Sequence, residues 1–120
     1  MSATSEWPSE IRLDSARERL HITFDNGEKV ALAAEFLRVV SPSAEVQGHG
    51  PNERKVLGGK RRVLITSVEP VGNYAVRLLF SDGHSTGLYT WTYLLELGRN
   101  HDTLWAKYLQ DLGAKGLSRD

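Results

Sequence analysis

At 120 residues the chain is sized for one domain, and its 40% hydrophobic and 25% charged residues suit a globule that folds around its own core. Its 15 basic residues balance 15 acidic ones, which argues against a protein that lives by neutralising nucleic-acid phosphate. There is no cysteine, so disulfides, thiolate metal sites and cysteine nucleophiles are excluded together.

The opening residues, MSATSEWPSE, lack the basic start and apolar run of a secretory signal. No window approaches the ~20 apolar residues of a membrane helix. A cytoplasmic protein with no membrane partner is the expectation. Residues 1–9 read as a flexible N-terminus, 10–112 as a single domain and 113–120 as a flexible tail.

From Ile11 the pattern is strand-like. Ile11 and Leu13, then Leu20, Ile22 and Phe24, alternate with polar residues, so one face meets a core and Arg19, His21 and Thr23 take the other. Asp25-Asn26-Gly27 predicts a tight hairpin turn, because Asn and Gly accept the positive φ it demands. A short strand from Lys29 to Leu32 follows. AAEFLRVV predicts a short helix ended by Ser41-Pro42. Residues 41–59 hold two of the prolines and four of the glycines with little periodicity, which predicts a long loop. RRVLITSVE and YAVRLLF predict a hairpin joined through PVGN. SDGH is a second tight turn, leading to a strand at STGLYT. WTYLLEL predicts a helix stopped by Gly98. A last helix spans about Asp102 to Leu112, with Leu104, Trp105, Tyr108, Leu109 and Leu112 on one stripe and Gly113 as terminator.

LHITFDNGEKVALAAEFL and VRLLFSDGHSTGLYTWTYL share a plan of strand, turn, strand and helix. Phe24 matches Phe80, Asn26-Gly27 matches Asp82-Gly83, and Leu32 matches Leu88. Duplication and convergence on a common form both explain the echo. Two such units predict an α+β two-layer domain: mainly antiparallel sheet built from hairpins, with two or three short helices on one face.

The chemistry on offer is sparse. His21 and His101 are expected to face solvent, while His49 and His84 lie in turn-rich segments near Glu45 and Asp82. The His-x-His, His-x-x-x-His and HExxH spacings that set two ligands on one face are absent. KVLGGKRR resembles a phosphate loop in composition, but Arg54 and Arg61 occupy the places that a P-loop gives to glycine and to Ser or Thr. It reads as a basic hairpin edge that discourages strand pairing, or as an anion or acidic-partner site. The aromatics Tyr89, Trp91, Tyr93, Trp105 and Tyr108 are assigned mainly to the core. Ser41 and Ser43 lack the glycine elbow of a nucleophilic serine.

FDNG with LAAEFLRVVSPSAEVQGHG, then VEPVGNYAVRLLFSDGHSTGLYTWTYLLELG, resembles the small bacterial proteins of the gamma-butyrobetaine hydroxylase N-terminal-domain-like family, over about residues 8 to 112. In the eukaryotic hydroxylases this domain precedes an iron and 2-oxoglutarate oxygenase domain and carries a structural zinc. Carried over by position, the resemblance puts three cysteine ligands at Ser41, Ser43 and Val46 and a histidine ligand at His84. Serine is a poor zinc ligand and valine has no donor, so zinc is not expected. A hydrogen bond between Asp82 or His84 and Ser41, Ser43 or the loop backbone is expected in its place. The oxygenase His-x-Asp motif has no counterpart, so hydroxylation is not implied. Related domains fused to ATPases that carry iron–sulfur clusters imply a setting near metallocluster machinery.

Three readings follow. The first is a non-catalytic interaction or adaptor module that docks an unknown protein through the 41–59 loop, Lys60, Arg61, Arg62 and exposed aromatics at Tyr89 and Trp91. The second is a zinc or iron protein using Glu45, His49 and His84. The third is a small enzyme of unknown substrate.

Overall fold

A computed structural model describes residues 7–42 and 56–120. It contains two units of the same plan. Strands β1 (Pro8–Leu13), β2 (Arg19–Phe24) and β3 (Lys29–Ala33) run into helix α1 (Ala34–Val39). Strands β4 (Ile65–Val71), β5 (Ala75–Phe80) and β6 (Leu88–Thr90) run into α2 (Trp91–Arg99), and α3 (His101–Ala114) follows. Each triplet is an antiparallel sheet in chain order, β1-β2-β3 and β4-β5-β6. The α+β class and the hairpin construction agree with the sequence.

Two sheets stand where one was expected. β3 feeds directly into α1, which leaves the sheet, and the second unit then closes its own ladder locally. The sheets are linked through the β1–β2 turn: Arg17 takes a positive φ of 62°, its carbonyl accepts from the Ile65 N–H at 2.9 Å, and its guanidinium donates to Thr66 O at 2.7 Å. Leu20, Ile22 and Phe24 from one sheet and Ile65, Val76, Leu78 and Phe80 from the other join a single buried core.

The internal echo holds through the first turn of each unit. Gly27 and Gly83 both take φ of +93°, where a Cβ would be strained. The Phe24 N–H donates to Glu28 O at 2.8 Å and the Phe80 N–H to His84 O at 3.0 Å. His84 thus occupies the place of Glu28. The match of Leu32 to Leu88 is corrected, because one extra residue after His84 shifts the register. Leu32 pairs with Leu20, whereas Tyr89 pairs with Val76. Since side chains alternate faces, Tyr89 enters the core and Leu88 is left 39% exposed.

Two helix ends also differ from expectation. Gly98 lies inside α2, where a Cβ would sit 2.2 Å from Val30 Cγ1; it permits the close approach of α2 to β3. Gly113 lies inside α3. The stop is Gly116, at φ +69°, with the Gly116 N–H on Gly113 O and the Leu117 N–H on Leu112 O, the paired bonds of a Schellman turn. The segment expected as a flexible tail then runs beside residues 57–61: the Gly59 N–H donates to Ser118 O at 2.9 Å and the Arg61 N–H to Arg119 O at 3.0 Å.

Candidate functional site

Helix α1 is the hub. All six of its residues are buried, including the opposite charges Glu35 and Arg38. A buried charge is stable only when paired and hydrogen-bonded, and each finds its partner on a different side. Glu35 receives both arms of Arg119. Arg38 donates through Nε to Asp82 Oδ2 at 2.8 Å, across to the β5–β6 turn. Its Nη1 is buried with no hydrogen-bond partner in the described structure.

The C-terminal carbonyls of α1, which a helix leaves unpaired, are met by tyrosines from the second unit. Tyr89 donates to Leu37 O at 2.5 Å and Tyr93 to Val40 O at 2.6 Å. Both therefore brace the C-terminal end of α1 from within. Tyr89 is 0% exposed, which corrects its expected place on a docking surface. Its ring fills the core while its hydroxyl holds the helix end.

The loop opens at Ser41, which is fully buried. Its Oγ lies 3.0 Å from His84 Nε2, so the hydrogen bond expected in place of a metal tie is present. Gly87 makes room for it: a Cβ there would stand 2.4 Å from Ser41 Oγ. Asp82 then organises the turn. Its Oδ1 accepts from the His84 N–H at 3.1 Å, and its Oδ2 accepts from both Arg38 and Lys60, the latter at 2.7 Å. Partial burial pushes the Asp82 carboxyl up, but the bonds from Lys60, the His84 N–H and Arg38 outweigh it and hold the pKa at about 2.

Of the predicted residues, the structure brings together Ser41, His84 and Lys60, the last through Asp82. Ser43, Glu45, Val46 and His49 lie outside the described residues. Arg61 is exposed and pairs with Asp120, and Arg62 is exposed. Trp91 is partly buried and its Nε1 donates to Asn73 O. His101 is not simply at the surface; its ring packs edge-on against Phe36 at 4.6 Å.

Among the described residues, no three His, Cys, Asp or Glu side chains gather to hold a metal ion. At the position of the expected tie, His84 Nε2 faces the Ser41 hydroxyl, a poor zinc ligand, at hydrogen-bond distance. Sequence reading missed Glu35, Arg38 and Arg119. Charges on a short helix ordinarily predict its solvated face, and only their burial reveals them as a pair of anchors.

The family described as gamma-butyrobetaine hydroxylase-like, N-terminal, matches residues 11–95. The chain belongs to this family. Three solved structures extend the likeness. Two are NMR solution structures: one is 49% identical over 97% of this chain and 91% of its own, with a TM-score of 0.82, and the other 44% identical over 99% and 89%, with a TM-score of 0.83. The third, a crystal structure of a protein of unknown function from Acidithiobacillus ferrooxidans assigned to the DUF971 family, is 37% identical over 81% of this chain and 98% of its own, with a TM-score of 0.67. No curated protein matches the chain. Among the described residues, no helix is long and apolar enough to cross a membrane.

Proposed function

We propose that this gamma-butyrobetaine hydroxylase-like domain is a non-catalytic interaction module that docks another protein, with metallocluster assembly as the setting that its family resemblance suggests. The observation that carries the reading is the Ser41–His84 hydrogen bond. The histidine that family likeness would give to zinc is engaged instead with Ser41, which ties the end of α1 to the β5–β6 turn. The Asp82 ion pairs with Arg38 and Lys60 reinforce that tie. Among the described residues of the expected surface, Arg62 and the flank of Trp91 are left to a partner.

The test is metal. Elemental analysis of protein purified without a histidine tag is followed by titration with Zn²⁺ and Fe²⁺, read on the histidine NMR signals. The module reading expects no stoichiometric metal and an unmoved His84. Stoichiometric metal that is lost on His84→Ala replaces it with a metal-binding protein. Docking has its own readout. A photo-crosslinker at position 62 is expected to give one discrete adduct in cells, while the exposed control position 102 gives none. Equal adducts from both positions, or none from 62, remove that surface.

A further inference from the structure

The segment after α3 is held to the fold by both side-chain and backbone bonds. Arg119 forks onto Glu35, with Nε on Oε2 at 2.9 Å and Nη2 on Oε1 at 2.7 Å. The Glu35 side chain is only 7% exposed. The guanidinium also lies over the Trp105 ring, 5.2 Å from its centroid. This arrangement of carboxylate floor and aromatic wall selects a planar, delocalised cation over an ammonium.

A backbone edge runs beside the pocket. Tyr108 donates to Leu57 O at 2.5 Å and fixes where that edge begins. The Gly59 and Arg61 N–H groups donate to the carbonyls of Ser118 and Arg119. Gly58 is what lets the two segments approach, since a Cβ there would meet Ser118 O at 2.8 Å. Beyond it, Arg61 Nη1 takes both oxygens of Asp120, at 3.1 and 3.2 Å. Backbone donors for an extended segment, a pocket for one side chain and a cation for the next make up a peptide-recognition site.

We propose that this groove is a receptor for an extended segment of another polypeptide carrying an arginine followed by an acidic residue, and that the chain's own Ser118–Asp120 is the resident competitor. Burial of Glu35 keeps the pocket from standing empty, because an unpaired carboxylate there is strongly disfavoured. The resident arginine leaves only as another arrives. A short tether gives the resident segment an effective concentration in the millimolar range. The same segment of a second copy therefore does not displace it at ordinary concentrations, which favours a different polypeptide that adds contacts of its own.

The inference rests on the interaction-module reading, and the two fail separately: metal at His84 removes that reading, whereas the peptide result decides the groove. The probe is a fluorescent Gly-Leu-Ser-Arg-Asp peptide, followed by anisotropy against the full chain. Arg119→Ala is expected to bind it saturably, roughly tenfold or more tighter than the unaltered chain, whose site is occupied. Adding Glu35→Gln, or exchanging the peptide arginine for lysine, is expected to weaken binding at least several-fold. Absence of saturable binding overturns the proposal, as does binding indifferent to Glu35→Gln. A dimer of the unaltered chain that dissolves on Arg119→Ala also overturns it, in favour of exchange between copies. Should Arg119→Ala lose its cooperative fold, titration of the unaltered chain with about millimolar peptide decides instead. Shifts at the Trp105 indole and Gly59 amide support the groove, and their absence refutes it.

Discussion

Replacing Gly87 with alanine tests the geometry of the loop closure. The new Cβ would stand 2.4 Å from Ser41 Oγ, and 3.3 Å from Pro42 Cδ and from Tyr89 Cε1. The first distance is impossible, so the hydroxyl must swing off His84. Gly87→Ala then loses one buried hydrogen bond, about 1 kcal/mol, and adds overpacking strain of about 1 kcal/mol or more. Ser41→Ala loses the same bond without strain. In the double variant the bond is lost once and the clash disappears with Oγ. The two single effects therefore overstate the double effect by about 2 kcal/mol, the bond plus the strain. Urea unfolding of the four proteins measures this directly, because with a slope of about 2 kcal/mol per molar the coupling is about a 1 M difference in midpoint. Additive effects would show that Ser41 Oγ does not sit between Gly87 and His84, and the reading of this loop would fail with it.

Acid should act through Asp82. Its folded pKa of about 2 lies below its ordinary 3.8, so its stabilisation is fully present above pH 4 and is lost as pH falls toward 2. After allowance for solvent screening this is about 1 kcal/mol. Asp82→Asn is expected to be less stable than the parent at pH 6 and equal to it near pH 2, and a gap unchanged with pH contradicts the ion-pair account. Gly98→Ala gains about 1 kcal/mol of helix propensity but drives a methyl into Val30 at about 1–3 kcal/mol. A lower melting temperature is expected, and a higher one would mean that α2 and β3 stand further apart than described.

Local pattern carried much of the architecture. Alternation at Leu20, Ile22 and Phe24, and the two Gly-bearing turns, announce hairpins because period and φ are properties of the chain itself. The repeated unit was visible for the same reason, whereas the Ser41–His84 bond was expected only from the family resemblance. What remained hidden depended on neighbours distant in sequence. A one-residue offset moved Tyr89 inward, since register belongs to the pairing and not to the strand. Gly98 read as a stop until Val30 came within reach, and the real terminator lay at Gly116. Glu35 and Arg38 were not singled out, since charges on a short helix ordinarily mark its solvated face. Only the assembled core buries that face, and burial is what turns two surface-like charges into anchors for Arg119 and Asp82.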